Sequence, residues 1–244
     1  MIICHDCNYR VIVMTKKTPI IYLVDTFAIA TECADYQLHA APARAEVWKN
    51  ERGEKHCDFG PAVIIRNPET GEIWGREWWI NGKRHRDDGP AVVSGDSHVM
   101  QIEWYRHGNL HREDGPAKLI ISQRPEYRGI VMTEEWVRDG IPHREGGAAT
   151  ILREETNGIV MIENWWINGQ LHREDGPAHI DRDENTGIAV EEIWYRHGKR
   201  HREGGPAYLV RDPQSGALVE TVHFEDDEMV SNENDVFRPD REPD

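Results

Sequence analysis

Short stretches of alternating apolar and polar residues, separated by turn sequences, recur along most of this 244-residue chain. A period of two is typical of β-strands, because successive side chains of a strand point to opposite faces of a sheet. The clearest example is WWINGKRH at 78–85, where Asn81 and Gly82 separate two short strands. Asn-Gly pairs favour two-residue hairpin turns with positive φ angles. The pattern therefore predicts β-hairpins.

Six segments of the chain align on a histidine that is followed, in most copies, by Gly-Pro-Ala. The most regular read GKRHRDDGPAVV from 82, GNLHREDGPAKL from 108 and GQLHREDGPAHI from 169. The aligned histidines are spaced 29, 26, 32, 29 and 29 residues apart: His56, His85, His111, His143, His172 and His201. Such spacing predicts a repeat architecture in which one hairpin unit stacks on the next.

Counting outward from the Asn81–Gly82 turn pairs each residue before the turn with one after it. The expected pairs are Ile80 with Lys83, Trp79 with Arg84, Trp78 with His85 and Glu77 with Arg86; by the same count Glu103 faces Arg112 and Glu135 faces Arg144. In the other copies the turn residue before glycine is His107, Asp139, Asn168 or His197, so we interpret these two histidines as turn residues. After the arginine, Gly-Pro interrupts the strand, and sequences such as NPETGEI predict a second set of turns.

The predicted fold class is mainly β, an elongated antiparallel meander of repeated β-hairpins with a short non-repeat N-terminal segment. Residues 1–45 are expected to form that segment and to cover one edge of the sheet. Residues 46–222 are expected to hold the six repeats, and residues 223–244 an acidic, disordered tail. The other edge would be covered by the segment around Val222 or by a second subunit.

The segments WWINGKRHRDDG at 78–89 and WYRHGKRHREGG at 194–205 resemble the MORN-repeat proteins. The typical unit of that family carries an aromatic residue, an Asn-Gly-Lys turn and a His-Gly-x-Gly run. Here an arginine follows the histidine where the family favours glycine, and the run extends into Gly-Pro-Ala. The resemblance covers residues 46–222. It implies hairpin repeats laid side by side, and roles in scaffolding, dimerisation, contact with lipid surfaces or antitoxin-like neutralisation.

Composition narrows the classes of partner. The chain has 29 basic and 44 acidic residues, a formal net charge of −15, which argues against a nucleic-acid partner because phosphate binding needs a basic surface. No apolar stretch reaches the ~20 residues of a transmembrane helix, so no membrane span is expected. The four cysteines, Cys4, Cys7, Cys33 and Cys57, form no disulfide framework of the secreted kind and favour a cytoplasmic setting.

The recurring His-Arg-x-Asp sequence is the strongest candidate for chemistry, and it has two interpretations. In the structural one, each histidine packs on its tryptophan, each arginine pairs with the facing carboxylate, and Asp88, Asp114 and Asp175 hold the turn. In the other, arginines and aromatic residues form a binding surface. Its candidate residues are Trp79, Arg86, Tyr105, Arg112, Arg144, Trp166, Arg173, Tyr195 and Arg202. Repetition favours the structural interpretation, because catalytic sites are usually single and asymmetric.

We therefore expect no enzyme, no catalytic residue and no cofactor. CHDC at 4–7 has the spacing of half a zinc site, and Cys33 with His39 could complete it, but a single Cys-x-x-Cys is weak and no metal is expected. The favoured function is a non-catalytic protein-binding scaffold or antitoxin-like neutralising factor, with a homodimer as one form of partner. The alternative is a receptor for a small anionic, nucleotide-like ligand held between arginine and aromatic side chains.

Overall fold

The structure is a computed structural model that describes residues 43–232 and the backbone of three earlier strands, Ile2–Ile3, Arg10–Val11 and Ile20–Val24. The chain divides into two compact units, Met1–Asn109 and Leu110–Asp244. Only strands and turns occur in the described part of each unit. Within that part, accordingly, no helix has the length and apolar character needed to cross a membrane.

The first unit is an antiparallel meander of long hairpins. Its strands are β1 (Ile2–Ile3), β2 (Arg10–Val11), β3 (Ile20–Val24), β4 (Ala43–Val47), β5 (Val63–Arg66), β6 (Ile73–Glu77), β7 (Trp79–Ile80), β8 (Lys83–Arg84), β9 (Val92–Gly95), β10 (Val99–Glu103) and β11 (Tyr105–Arg106), with β12 (Asn109–Leu110) following. The long strands pair in the order β3-β4-β5-β6-β9-β10, while β7 pairs with β8 in a separate short hairpin. Consecutive strands are therefore neighbours, as a meander requires.

The second unit repeats this arrangement. Its strands are β13 (Lys118–Ser122), β14 (Val131–Glu135), β15 (Val137–Arg138), β16 (Ile141–Pro142), β17 (Thr150–Arg153), β18 (Val160–Asn164), β19 (Trp166–Ile167), β20 (Gln170–Leu171), β21 (His179–Arg182), β22 (Ala189–Ile193), β23 (Tyr195–Arg196), β24 (Lys199–Arg200), β25 (Tyr208–Arg211), β26 (Leu218–Glu225) and β27 (Glu228–Asn232). The long strands pair in the order β13-β14-β17-β18-β21-β22-β25-β26-β27. The predicted fold class, an antiparallel meander of repeated hairpins, is confirmed.

Each short hairpin turns on the two residues that the sequence predicts. Asn81 and Gly82 have φ angles of 49° and 75°, and the same pair of positive angles recurs at the four other turns, including His107 and His197. Positive φ at both positions is the signature of a type I′ turn. The register is also as predicted, with Trp79 opposite Arg84 and Ile80 opposite Lys83.

The predicted charge pairs beyond the short hairpins are wrong. Glu77 does not face Arg86; its carboxylate lies 3.4 Å from Nη2 of Arg84 and accepts a hydrogen bond from Nε1 of Trp79. The same correction holds further along, where the carboxylate of Glu135 pairs with Lys118 at 3.1 Å and that of Glu103 accepts a hydrogen bond from Gln101: neither is paired with Arg144 or Arg112. The strand breaks at the first tryptophan of each repeat, so the glutamate ends a long strand and the arginine follows the short hairpin.

The turns of the long hairpins account for the unequal repeat spacing. The usual turn, 67–72 between β5 and β6, has six residues, whereas the β9–β10 turn has only 96–98 and the β13–β14 turn spans 123–130. In the regular turns an asparagine or acidic side chain accepts backbone hydrogen bonds, as Asn67 does from Glu69 and Thr70. Length differences therefore lie at these turns, away from the histidine motif.

The buried interior is thin and consists largely of small side chains. The alanine that closes each motif is wholly buried in all six repeats: Ala62, Ala91, Ala117, Ala149, Ala178 and Ala207. Among the described residues, the largest side chain with full burial is Ser122. In the first unit Ala45, Val47 and Val63 form a small cluster against which Trp79 packs. Contacts between neighbouring repeats must therefore supply most of the stability.

Both predicted domain boundaries, after residue 45 and after residue 222, fall within the described residues. Within the predicted N-terminal segment, β3 pairs with β4 in the register Ile20 to Val47, and most of residues 1–42 lie outside the described residues. The tail was predicted to begin at residue 223, yet β26 and β27 continue to Asn232. Residues 223–232 thus belong to a hairpin, and residues 233–244 lie outside the described residues.

Candidate functional site

The repeat histidine binds the turn of the next repeat. Nδ1 of the histidine accepts a hydrogen bond from the backbone N–H of the first turn residue: Asn81 to His56 (3.1 Å), His107 to His85 (3.2 Å), Asp139 to His111 (3.1 Å), Asn168 to His143 (3.1 Å) and His197 to His172 (3.1 Å). An accepting Nδ1 places the proton of a neutral ring on Nε2. We call this bond the histidine staple.

Nε2 of the same histidines faces an acidic residue two positions later. The distances are 3.2 Å to Asp58, 3.4 Å to Asp87, 3.6 Å to Glu113, 3.9 Å to Glu145 and 4.0 Å to Glu174. Both ring nitrogens thus have a partner in the repeat array, and these partners hold the ring in one orientation. The expectation that the histidine mainly packs on its own tryptophan missed this link between repeats.

The repeat arginine lies over the first tryptophan of its own repeat. The Cζ atom is 4.1 Å from the ring centroid for Arg86 over Trp78, 4.0 Å for Arg144 over Trp136, and 3.9 Å for both Arg173 over Trp165 and Arg202 over Trp194. These distances are those of a cation–π contact. Four predicted binding residues therefore stack on aromatic rings inside their own repeats.

The arginines are also hydrogen-bonded within their repeats. Nε donates to the aspartate two residues later, from Arg86 to Asp88 (2.9 Å), Arg112 to Asp114 (3.0 Å) and Arg173 to Asp175 (2.8 Å). Nη1 donates to a carbonyl four residues later, at Pro90, Pro116, Ala148, Pro177 and Pro206. The arginine hydrogen bond and charge lower the pKa of Asp88, Asp114 and Asp175. The aspartates therefore hold the arginine, which refines their predicted role in the turn.

The motif glycine makes room for this arginine. A Cβ atom would lie 3.2 Å from the arginine Cζ at Gly89, 2.7 Å at Gly115, 2.8 Å at Gly147 and Gly176, and 3.3 Å at Gly205. In the first repeat Cys57 stands where the others have arginine, and there a Cβ at Gly60 would meet nothing within 4 Å. Five of the six repeats therefore share the arginine together with the glycine beneath it, while the first repeat keeps only the glycine.

The second aromatic residues of the repeats lie in the short hairpins. Trp79, Tyr105, Trp166 and Tyr195 are all partly buried, and their backbone carbonyls accept hydrogen bonds from the previous repeat, as Trp166 does from Arg144 (3.0 Å). Burial raises the pKa of Tyr105 and of Tyr195. The repeat arginines contact three of these residues, Tyr105, Trp166 and Tyr195, through backbone hydrogen bonds, while their side chains stack on the first tryptophans.

A shallow cavity of about 550 Å³ lies between the β7–β8 hairpin and residues 105–109 of the β11–β12 hairpin. It is lined by Trp79, Gly82, Lys83, Arg84, Tyr105, His107, Gly108 and Asn109. Cζ of Arg84 is 5.2 Å from the Trp79 ring centroid and 5.3 Å from that of Tyr105. The structure therefore brings two predicted aromatic residues together around an arginine that the sequence did not single out.

Arg84 combines a stable charge with an unused donor. Burial alone would lower its pKa, but the charges of Glu77, Tyr105 and Glu103 and a hydrogen bond with Tyr105 outweigh burial and raise the pKa. Its Nε atom is buried and has no hydrogen-bond acceptor. The sequence feature that could have identified Arg84 is the Lys-Arg pair before the histidine, which occurs at 83–84 and again at 199–200.

Exposed apolar side chains concentrate in the last hairpin of the second unit. Leu218 and Val219 in β26 are 51% and 58% exposed, and Met229 and Val230 in β27 are 65% and 60% exposed. We call these four residues the apolar strip. In the first unit Phe59 is 99% exposed, at the position where other repeats carry the arginine-binding aspartate.

A scan of protein-family models and a search of curated proteins both find no match for this chain. The candidate zinc ligands Cys4, Cys7, Cys33 and His39 lie outside the described residues. Among the residues that are described, no three His, Cys, Asp or Glu side chains are grouped to hold a metal ion.

Proposed function

We propose that this chain is a non-catalytic, MORN-like repeat protein of the cytoplasm that binds another protein, as a scaffold or an antitoxin-like neutralising factor. The observation that carries the proposal is the apolar strip of β26 and β27. Its residues form two exposed apolar pairs, Leu218 with Val219 and Met229 with Val230, at different places along one hairpin. Exposed apolar side chains that are grouped in this way mark interaction surfaces more often than single ones do. An edge strand that carries such side chains is a surface to which another chain can add a strand.

The position of the strip in the repeat supports the same proposal. Residues 222–230 follow the repeat pattern as a partial seventh copy, with Phe224 opposite Met229 in the register that Trp79 and Arg84 have. In complete repeats the residue equivalent to Val230 is the stapling histidine. Repeat arrays usually end in a repeat with a polar outer face. Among the described residues, the last hairpin instead presents Met229 and Val230.

The use of the motif side chains supports a role without catalysis. The repeat histidines bind the next turn through Nδ1, and the arginines donate Nε or Nη1 within their own repeats. A catalytic base or an anion clamp needs these atoms free for a substrate. These hydrogen bonds favour a structural role for the repeat arginines over a role in binding small anions. The arginines concerned are Arg86, Arg112, Arg144, Arg173 and Arg202.

A double substitution of the strip tests the proposal. Met229→Lys with Val230→Lys should remove the partner, because two ammonium groups cannot be buried in an apolar contact without a large desolvation cost. Partners would be captured by a photo-reactive side chain at position 219 in cells and identified by mass spectrometry. The matched control is Glu174→Lys, whose side chain is 91% exposed and lies on the motif side.

Loss of one cross-linked protein in the strip variant, with retention in the control, is the expected result. A cross-linked second copy of this chain, lost in the same variant and accompanied by loss of the dimer mass in light scattering, would identify the partner as a homodimer. Identical cross-linking patterns in the wild type, the strip variant and the control would refute the strip as a binding surface.

A further inference from the structure

Two repeats carry the same Lys-Arg pair before the histidine, but the arginine has different hydrogen-bond partners in the two repeats. The pair is Lys83 and Arg84 in the second repeat and Lys199 and Arg200 in the sixth. In each case the next short hairpin places a residue with positive φ against the arginine backbone: the N–H of Gly108 donates to Arg84 O at 2.8 Å, and that of Asp227 to Arg200 O at 3.1 Å. Gly108 and Asp227 are therefore equivalent positions.

In the sixth repeat the carboxylate of Asp227 binds the arginine twice. Its Oδ1 accepts the backbone N–H of Arg200 at 3.0 Å and the Nε–H at 2.9 Å. The guanidinium lies 3.9 Å from the centroid of the Phe224 ring. These hydrogen bonds lower the pKa of Asp227, so the bound group is an ionised carboxylate.

In the second repeat the same two donors have no such carboxylate, because Gly108 has no side chain. Nε of Arg84 is buried and lacks an acceptor. The shallow cavity beside this arginine is lined by Lys83, Arg84 and Gly108, the residues equivalent to Lys199, Arg200 and Asp227 of the sixth repeat. Tyr105, the equivalent of Phe224, lies beside it and leaves the guanidinium 5.3 Å from its ring centroid.

We propose that the cavity at Arg84 binds a carboxylate supplied by another molecule, in the position that the Asp227 side chain takes in the sixth repeat. The backbone N–H and Nε–H of Arg84 donate to one carboxylate oxygen, and Lys83 provides a second positive charge at the rim. This binding site does not depend on the apolar strip or on the proposed protein partner.

The charges around the cavity are compatible with an added anion. Nη2 of Arg84 already lies 3.4 Å from a carboxylate oxygen of Glu77, so an added anion would join an existing ion pair. Lys83 makes no ion pair within the described residues, and Nζ of Lys55 lies 4.4 Å from the Trp79 ring centroid. Glu103 is buried and hydrogen-bonds with the hydroxyl of Tyr105, which also hydrogen-bonds with Arg84. The described residues that line the cavity include two basic side chains, Lys83 and Arg84, and no acidic one.

The test is a titration of the ¹⁵N-labelled full chain with sodium acetate, at constant ionic strength set by sodium chloride. The backbone N–H and Nε–H signals of Arg84 should shift saturably, while those of Arg200 should not respond. Gly108→Asp should abolish the response, since its own carboxylate then fills the position. The backbone accepts aspartate there, because Asp227 has a φ of 73° at the equivalent position.

The reciprocal variant is Asp227→Gly, which should make the Arg200 signals sensitive to acetate. Arg84→Lys keeps the charge but removes Nε and should also abolish binding, so the proposal stays testable if Gly108→Asp does not fold. An end-blocked peptide with one aspartate separates the sources: tighter binding than acetate indicates a protein ligand, and equal or weaker binding a small carboxylate. Arg84 signals that ignore acetate, respond equally in Gly108→Asp, or respond only to phosphate would overturn the assignment.

Discussion

Replacing Gly176 with alanine tests whether the motif glycine is present to accommodate the arginine. A Cβ at position 176 would lie 2.8 Å from Cζ of Arg173 and 3.0 Å from its Nε, closer than carbon atoms approach in folded proteins. The guanidinium must then move from its place 3.9 Å from the Trp165 ring centroid and from its hydrogen bond to Asp175. The φ angle of Gly176 is not positive, so alanine causes no backbone strain of its own.

The expected cost follows from these contacts. A partly exposed cation–π contact contributes about 0.5–1 kcal/mol, and the arginine hydrogen bonds about 1 kcal/mol together after solvent screening. Alanine in place of glycine returns about 0.4–1 kcal/mol, because it restricts the unfolded chain. Gly176→Ala should therefore destabilise the protein by about 1 kcal/mol.

The first repeat offers a matched control. Gly60 occupies the same position before proline, but Cys57 replaces the arginine and a Cβ would meet nothing within 4 Å. Gly60→Ala should be neutral or stabilising by up to about 1 kcal/mol. Arg173→Cys alone reproduces the cysteine and glycine of the first repeat, and in that background Gly176→Ala should cost nothing further.

The measurement is urea denaturation followed by tryptophan fluorescence, together with hydrogen exchange of the peptide covering residues 165–178. Hydrogen exchange is needed because an array of repeats can unfold in parts. If Gly60→Ala costs as much as Gly176→Ala, or if Arg173→Cys fails to relieve the cost at position 176, the explanation of the motif glycine is wrong.

Three further predictions concern the same motif. His143→Ala should cost about 1–2 kcal/mol more than His201→Ala in urea denaturation, because Nδ1 of His143 accepts a backbone N–H whereas both ring nitrogens of His201 are buried without hydrogen-bond partners. Equal costs would contradict the staple. Arg173 lowers the pKa of Asp175 through a hydrogen bond and its charge, so the stability from this pair is present above the usual value of 3.8 and is lost as pH falls through the lower folded value. Acid titration of stability should therefore be shallower in Asp175→Asn than in the wild type, and an unchanged profile would show that the pair contributes nothing. Ala178→Val should cost about 1–3 kcal/mol by thermal or urea unfolding, since Ala178 is wholly buried; a stabilised variant would mean that the site has room to spare.

The sequence predicted the features that depend on neighbouring residues. Asn81 and Gly82 determine their own turn, and the turn determines the register of Trp79 with Arg84. The repeat spacing and turn sequences such as NPETGEI located long hairpins within residues 46–222, but not the hairpin of β26 and β27. Turn chemistry and strand periodicity act over a few residues, so a single chain is enough to read them.

The features that the sequence did not predict depend on contacts between repeats, or on which of several possible partners a side chain bonds within one repeat. No local signal marks the strand break at Trp78, which moved Glu77 away from Arg86. The acceptor role of the histidine needs the next turn, about 25 residues later, as between His143 and Asn168. The unused donor of Arg84 depends on the next repeat, which supplies Gly108 where the equivalent Arg200 meets the carboxylate of Asp227.

The two ends of each long hairpin tolerate change differently. At the motif end, histidine, arginine, glycine and alanine each fill a space or a hydrogen bond that a neighbour depends on, and their spacing is constant. At the far end, turns of three, six and eight residues join otherwise equivalent strands. Foreign loops, epitopes or labels could therefore be grafted at positions 67–72. The turn at 154–159 is less suitable, because Glu155 accepts a hydrogen bond from Ser122 and Asn157 donates one to the carbonyl of Glu184. Display at 67–72 would leave the histidine and arginine contacts of the repeats unchanged.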